Sequence, residues 1–140
     1  MTYLQIITNA AKAAKVSAIL LYATCAHESR DFSLDFALYD NGSPSFGVCQ
    51  VKLETAKMFG FHGDPMELRN AVTSTKYAAL YLKYQQQRYG ESDWLKLVAA
   101  YNAGSYSEGK ILGCPKNLRY AKLVQAKLPE ELKYKLRCGQ

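Results

Sequence analysis

Apolar and small residues fill the run from Val16 to Ala26, and His27, Glu28, Ser29, Arg30 and Asp31 follow at once. Ala18, Leu21, Tyr22 and Cys25 recur at i, i+3, i+4 and i+7, which predicts a helix whose one face enters a core, with Ser17 as its cap. Such a helix brings Glu28 to its C-terminal end, at the edge of the apolar interior. There the carboxylate is poorly solvated and lies near the negative end of the helix dipole. Both effects disfavour ionisation and raise the pKa, which is the state a general acid needs at neutral pH. A glutamate at a helix end is more often a solvated group or an ion-pair partner, so Glu28 alone decides nothing.

The rest of the chain reads as further helices with one interruption. Leu4, Ile7, Ala11 and Ala14 mark a first amphipathic helix over Thr2 to Ala14. Asp40-Asn41-Gly42-Ser43-Pro44-Ser45 is a turn signal, and Phe36 and Leu38 before it with Phe46 and Val48 after it permit a short hairpin. Leu53 to Phe59 makes a short helix stopped by Gly60 and Gly63. Asp64-Pro65 starts another element. A long helix follows over Asn70 to Tyr89, packed through Ala71, Thr75, Ala78 and Leu82 and ended by Gly90. Ser92 or Asp93 caps a helix through Trp94, Leu97, Val98 and Tyr101, Gly104 to Gly113 is a loop, and Pro115 opens a basic helix over Asn117 to Leu128 that Pro129 stops. No repeat, low-complexity tract or linker is present, so 1–140 reads as one domain.

Composition narrows the class. Apolar residues are 49% and charged residues 21%, the balance of a globular chain with a core. No apolar run is long enough for a membrane span, and Lys12, Lys15 and the apolar run after them fail as a signal peptide, because cleavage after Ala26 would fall just before His27-Glu28. Eleven tyrosines against one tryptophan suit a groove that is both apolar and hydrogen-bonding, as for sugars, and suit a helical core as well. Residues 1–109 hold ten basic and ten acidic side chains, whereas residues 110–140 hold eight and two, so the whole net charge of +6 sits in a C-terminal tail. That tail calls for an anionic partner, a nucleic acid, membrane surface or envelope polymer; solvated helix faces account for it equally. Cys25, Cys49, Cys114 and Cys138 lack metal-ligand spacing, and with two histidines no metal site is expected. Buried free thiols are the expectation, with a Cys114–Cys138 bridge open.

Three further stretches give Glu28 company. Ser45-Phe46-Gly47-Val48-Cys49-Gln50 has a glycine where a chain or ligand can come close and an amide that both donates and accepts. Ala99-Ala100-Tyr101-Asn102-Ala103-Gly104 ends a helix with a phenol and an amide among small residues, and Arg119-Tyr120 adds another phenol. Each has an ordinary reading as loop, C-cap or core residue. Their order and spacing together are what carry weight.

Glu28-Ser29, Gly47-Val48-Cys49-Gln50, Ala100-Tyr101-Asn102-Ala103-Gly104 and Arg119-Tyr120 together resemble the lysozyme-like domain of soluble lytic transglycosylases, over about Ile6 to Leu128. The resemblance implies a mainly α, lysozyme-like helical domain with at most a short β-hairpin near residues 36–48, and a basic C-terminal helical tail from about 110. It implies that Glu28 is the single acid/base, that Ser45, Gly47, Val48, Cys49, Gln50, Tyr101 and Asn102 bind substrate, and that Tyr120 positions the acid through its hydroxyl. No cofactor is implied. The implied partners are peptidoglycan strands and, through the tail, anionic envelope polymers, with no nucleic acid and with a monomeric protein. The implied place of action is the bacterial wall, periplasmic or extracellular; a start at Met1 without a leader suits a phage lysis or virion protein, and a bacterial domain stripped of its leader is the other reading. The chain departs from the family in lacking Asn-Pro after the Glu-Ser pair, where it has Arg30-Asp31-Phe32, and in having Cys49 in place of methionine.

The implied reaction breaks the β-1,4 bond between N-acetylmuramic acid and N-acetylglucosamine and closes a 1,6-anhydro ring. The segment from Asn41 to Gln50 also resembles that of c-type lysozymes, which cleave glycosides with two carboxylates, and the second of these falls at Ser45. A hydroxyl cannot serve as that carboxylate, which favours the transglycosylase. Asp31, Asp35 and Asp40 keep a hydrolytic muramidase open, and a non-catalytic wall-binding module is the third reading.

Overall fold

The computed structural model describes residues 1–38 and 42–134 of the chain. Its elements run α1 (Tyr3–Ala14), α2 (Ala18–Glu28), β1 (Phe36–Leu38), β2 (Pro44–Phe46), β3 (Val51–Lys52), α3 (Leu53–Met58), α4 (Ala71–Tyr89), α5 (Trp94–Ala103) and α6 (Leu118–Gln125), with 3₁₀ turns at Pro65–Arg69 and Glu130–Leu132. The architecture is mainly α with a small antiparallel sheet, in line with the lysozyme-like expectation.

Local polar residues set the helix starts. Thr2 and Gln5 exchange hydrogen bonds in a capping box, Ser17 accepts from Leu20, Asn70 from Val72 and Thr73, and Asp93 from Lys96. Asp64-Pro65 opens a 3₁₀ turn only, because Asn70 already serves as the cap of α4. α6 ends at Gln125 rather than at Leu128, its last residues tightening into i→i+3 bonds from Lys127 to Val124 and from Leu128 to Gln125.

α2 differs from the single-faced helix its spacing predicts. Leu20, Leu21, Ala23, Thr24, Cys25 and Ala26 are all buried, while Ala18 and Tyr22 are half-buried. α1, α4 and α6 all pack on α2, so apolar surface is needed on more than one side. The core continues through Ile7 and Ala11 of α1, Ala78 and Leu82 of α4, Leu97 and Val98 of α5, and Ala121 and Val124 of α6.

The sheet goes beyond a hairpin. β1 pairs antiparallel with β2 in the register Phe36↔Phe46, and β2 pairs with an unforeseen third strand in the register Ser45↔Lys52 and Phe46↔Val51. Val48 falls in the turn between β2 and β3, not in a strand. That turn needs glycine at its first position: Gly47 has φ +78°, and a Cβ there would lie 2.0 Å from Ser74 Oγ and 2.8 Å from the Leu68 carbonyl. Asp40 and Asn41, part of the expected turn after β1, lie outside the described residues.

The cysteines overturn the expectation of free thiols. Cys25 on α2 and Cys49 in the β2–β3 turn form a disulfide with Cα atoms 4.1 Å apart. Cys114 is also disulfide-bonded, and Cys138, considered as its partner, lies outside the described residues. The physical reason is packing. The β2–β3 turn is laid against the buried side of α2, so two cysteines distant in sequence meet inside the core, and no local periodicity signals the meeting.

Candidate active site

α2 ends where the core opens. Its last residue, Glu28, reaches a cleft of about 470 Å³ whose wall also includes Ser45, Gln50, Lys52, Tyr101 and Asn102. Ser29, fully buried, closes the helix by donating its hydroxyl to the Cys25 carbonyl and accepting from the Phe32 amide, both at 2.8 Å. Arg30, Asp31 and Phe32 then take three successive left-handed conformations, with φ of 51°, 58° and 66°. Each such residue costs on the order of 1–2 kcal/mol. The turn is fastened by the Asp31 amide on the Ala26 carbonyl at 2.7 Å and by Phe32, whose ring lies 5.0 Å from those of Tyr3 and Tyr22.

Burial pushes Glu28 up from 4.5 to about 7, while a hydrogen bond from the Tyr120 hydroxyl to Glu28 Oε2 at 2.6 Å pulls the other way. The carboxyl is thus protonated in part at neutrality and can give a proton or take one. Tyr120 is itself held well above its ordinary value by burial and then by Glu28, so it remains a donor. Its ring meets His27 edge-on with centroids 5.1 Å apart. Burial, and then the charge of Lys127, lower the His27 pKa, so the neighbour of the acid is neutral at pH 7. Lys127 pairs with Asp31 at 2.7 Å, tying the segment after α6 to the left-handed turn after α2. Tyr120→Phe removes the bond that favours the ionised carboxylate, so Glu28 is expected to titrate at higher pH than in the wild type. Carbon-13 NMR of the Glu28 side-chain carboxyl checks this, and an unmoved or lowered midpoint would show that the phenol does not govern the acid.

Of the other residues singled out in the sequence, Ser45, Gln50, Tyr101 and Asn102 share the cleft with Glu28. Gln50 folds its amide back onto the Gly47 carbonyl at 2.9 Å, and Tyr101 donates its hydroxyl to the Cys49 carbonyl at 2.9 Å. Asn102 accepts from Asn117, which also donates to the Ala99 carbonyl and so joins α5 to the start of α6. Gly47, Val48 and Cys49 are not on the cleft wall. Val48 and Cys49 are core residues, and Gly47 backs onto Ser74. Asp31 and Asp35 stand in ion pairs with Lys127 and Arg69 away from the cleft, and Asp40 lies outside the described residues. Among the described residues Glu28 is the only carboxylate on the cleft wall, and no group of three or more potential metal ligands occurs.

Sequence reasoning missed several wall residues, among them Lys52, Thr55 and Tyr81. It also missed Gln85, which is fully buried on α4 and holds the end of α5. Gln85 Nε2 donates to the carbonyls of Ala100 and Gly104 at 3.2 and 3.0 Å, and its Oε1 accepts from Arg88, which reaches Gly104 as well. The Ala100 carbonyl also accepts from the Gly104 amide at 2.8 Å, so Gln85 adds a second bond there. The Gly104 carbonyl, just past the helix end, is taken by Gln85 and Arg88, next to Tyr101 and Asn102. A signal was present: Gln85 stands three residues after Leu82, in phase with the apolar face of α4.

Comparison with protein families gives one match covering most of the chain: the family described as Transglycosylase SLT domain matches residues 5–124. No curated protein and no solved structure matches the chain.

Proposed function

The chain belongs to the transglycosylase SLT domain family, and from that premise we propose that it is a peptidoglycan lytic transglycosylase with Glu28 as its single acid and base. At the level of the family the activity is glycosidic bond cleavage in peptidoglycan. The observation that carries the finer reading is the isolation of Glu28, an acid raised to about 7 on a wall with no second carboxylate among the described residues.

The steps follow from that isolation. Protonated Glu28 gives its proton to the glycosidic oxygen between N-acetylmuramic acid and N-acetylglucosamine as the bond breaks. The sugar left behind develops oxocarbenium character. A two-carboxylate glycosidase would meet it with a nucleophile or an activated water. Among the described residues the one carboxylate on the cleft wall is Glu28, now ionised, which takes the proton of the C6 hydroxyl of the same sugar. That oxygen closes on the anomeric carbon, giving a 1,6-anhydro end and returning the proton to Glu28. Holding a reacting group in place is worth a large part of a barrier, so ring closure outruns water that nothing activates. Tyr120 keeps the acid aimed, while Gln50, Tyr101 and Asn102 furnish amide and phenol groups for the sugars. No helix among the described residues is long and apolar enough to cross a membrane, and the reading needs none, since the substrate is the wall.

Mass analysis of the released muropeptides tests the reading. Predominantly anhydro ends, lighter by one water than hydrolysed ends, are expected. Mostly hydrated ends would overturn the transglycosylase in favour of the muramidase, and Asp40 would be the first residue to mutate in search of a second carboxylate.

A further inference from the structure

Asn117 stands immediately before α6, where an asparagine ordinarily turns its Oδ1 to the first amides of its own helix. Asn70 does so before α4, accepting from Val72 and Thr73. The Asn117 side chain makes no such bond to α6. It reaches across to α5 instead, where Nδ2 donates to the Ala99 carbonyl and to Asn102 Oδ1, both at 2.9 Å. The first of these bonds fixes the second. A backbone carbonyl only accepts, so the atom that Asn117 brings to Ala99 must be the nitrogen. The atom of Asn102 that meets the same nitrogen must then be the oxygen. One carbonyl of α5 thus settles which way round two amides lie. Asn102 is exposed on the cleft wall, and among the described residues nothing accepts from its Nδ2.

We propose that Asn117 is a positioning residue that makes Asn102 a hydrogen-bond donor to the glycan, and that the group it meets is the carbonyl of an acetamido substituent. The inference rests on the proposed function, from which the strand takes its N-acetylated sugars. The class of group follows from what a locked amide recognises. A sugar hydroxyl both donates and accepts, so it pairs with either end of an amide and gains little from one fixed orientation. An acetamido carbonyl accepts only. An Asn102 free to turn would meet it with Oδ1 part of the time, acceptor against acceptor, and would have to be ordered on binding. With Oδ1 engaged by Asn117, the donor is ready before the strand arrives. The same role accounts for a cap residue that leaves its own helix uncapped.

Binding in a Glu28→Gln background, without turnover, tests the pair. The ligands are soluble glycan strands and the same strands after de-N-acetylation. On the acetylated strands Asn102→Ala is expected to weaken binding about tenfold, as for loss of a hydrogen bond that leaves an acceptor unpaired. Asn117→Ala should weaken it about threefold, because only a fraction of Asn102 then has its donor forward. The two together should lose no more than Asn102→Ala alone, since Asn117 acts through Asn102. On de-N-acetylated strands, which lack the carbonyl, no variant should bind more weakly than its parent, and that also shows that each is folded. Losses that multiply in the double variant, or that are as large on the de-N-acetylated strands, would make Asn117 a structural tie between α5 and α6 and overturn the proposal. So would undiminished binding of the acetylated strands by either single variant. Hydrated product ends or a fully active Glu28→Gln enzyme would instead overturn the proposed function.

Discussion

Glu28→Gln is expected to cut the rate of wall lysis by at least roughly 10²–10⁴-fold, the usual contribution of a positioned acid or base. The substitution keeps shape and hydrogen-bonding capacity and removes the one transferable proton at the end of α2. In the proposed mechanism the same group acts first as acid and then as base, and no other carboxylate among the described residues lines the cleft to take over either step. Stability should move the opposite way. The Glu28 pKa is raised in the fold, from 4.5 to about 7. Its contribution to stability is therefore fully present below about pH 4.5 and is lost as pH rises through about 7. The gap corresponds to at most about 3 kcal/mol once the carboxyl is ionised. Glutamine does not ionise, so the variant should unfold at higher denaturant than the wild type at pH 8 and at nearly the same denaturant at pH 4. Turbidity loss of a wall suspension, with urea unfolding at the two pH values, reads both effects. A folded Gln variant that lyses walls at the wild-type rate would sink the assignment of Glu28.

Local chemistry explains why so much of the helical frame could be read in advance. Thr2, Ser17, Asn70 and Asp93 each satisfy orphan amides a few residues along the chain, and Gly60, Gly90 and Gly104 follow helix ends, so starts and stops are written next to one another. The place of Glu28 is of this kind, since an apolar run followed by charge marks where a helix leaves the core. What joins distant segments was not legible. The Tyr120–Glu28 hydrogen bond spans 92 positions and was pointed to only by resemblance. Val48 and Cys49 look like groove residues in the motif, but the left-handed Gln50 and the tight Gly47 roll the turn so that Gln50 lies on the cleft wall while Val48 and Cys49 sit in the core. β3 is two residues long, too short to show alternation, and it exists because Phe46 and Ser45 offer it a partner edge.

Removing the bridge, as Cys25→Ala/Cys49→Ala, is expected to lower the unfolding free energy by roughly 3 kcal/mol and the Tm by roughly 10 °C. The bridge closes a loop over a sequence separation of 24, and a cross-link of that span mainly restricts the unfolded chain. Both cysteines are fully buried, so small cavities add to the loss. The effect should reach the cleft as well. Cys25 lies three residues before Glu28 on α2, and Cys49 immediately precedes Gln50, so the bridge fixes the separation between the acid and the opposite wall. Without it, the turn keeps non-covalent holds such as the Tyr101 hydrogen bond to the Cys49 carbonyl, the Gly47 amide on the Asp35 carbonyl and the core packing of Val48. Wall lysis by the pair variant, measured well below its Tm, should therefore fall severalfold while the helical circular dichroism is retained. Wild-type protein unfolded with a reductant and refolded with its thiols blocked by a small alkylating group should show a stability loss at least as large. A pair variant that melts with the wild type and lyses walls equally well would mean that packing alone holds α2 against the β2–β3 turn.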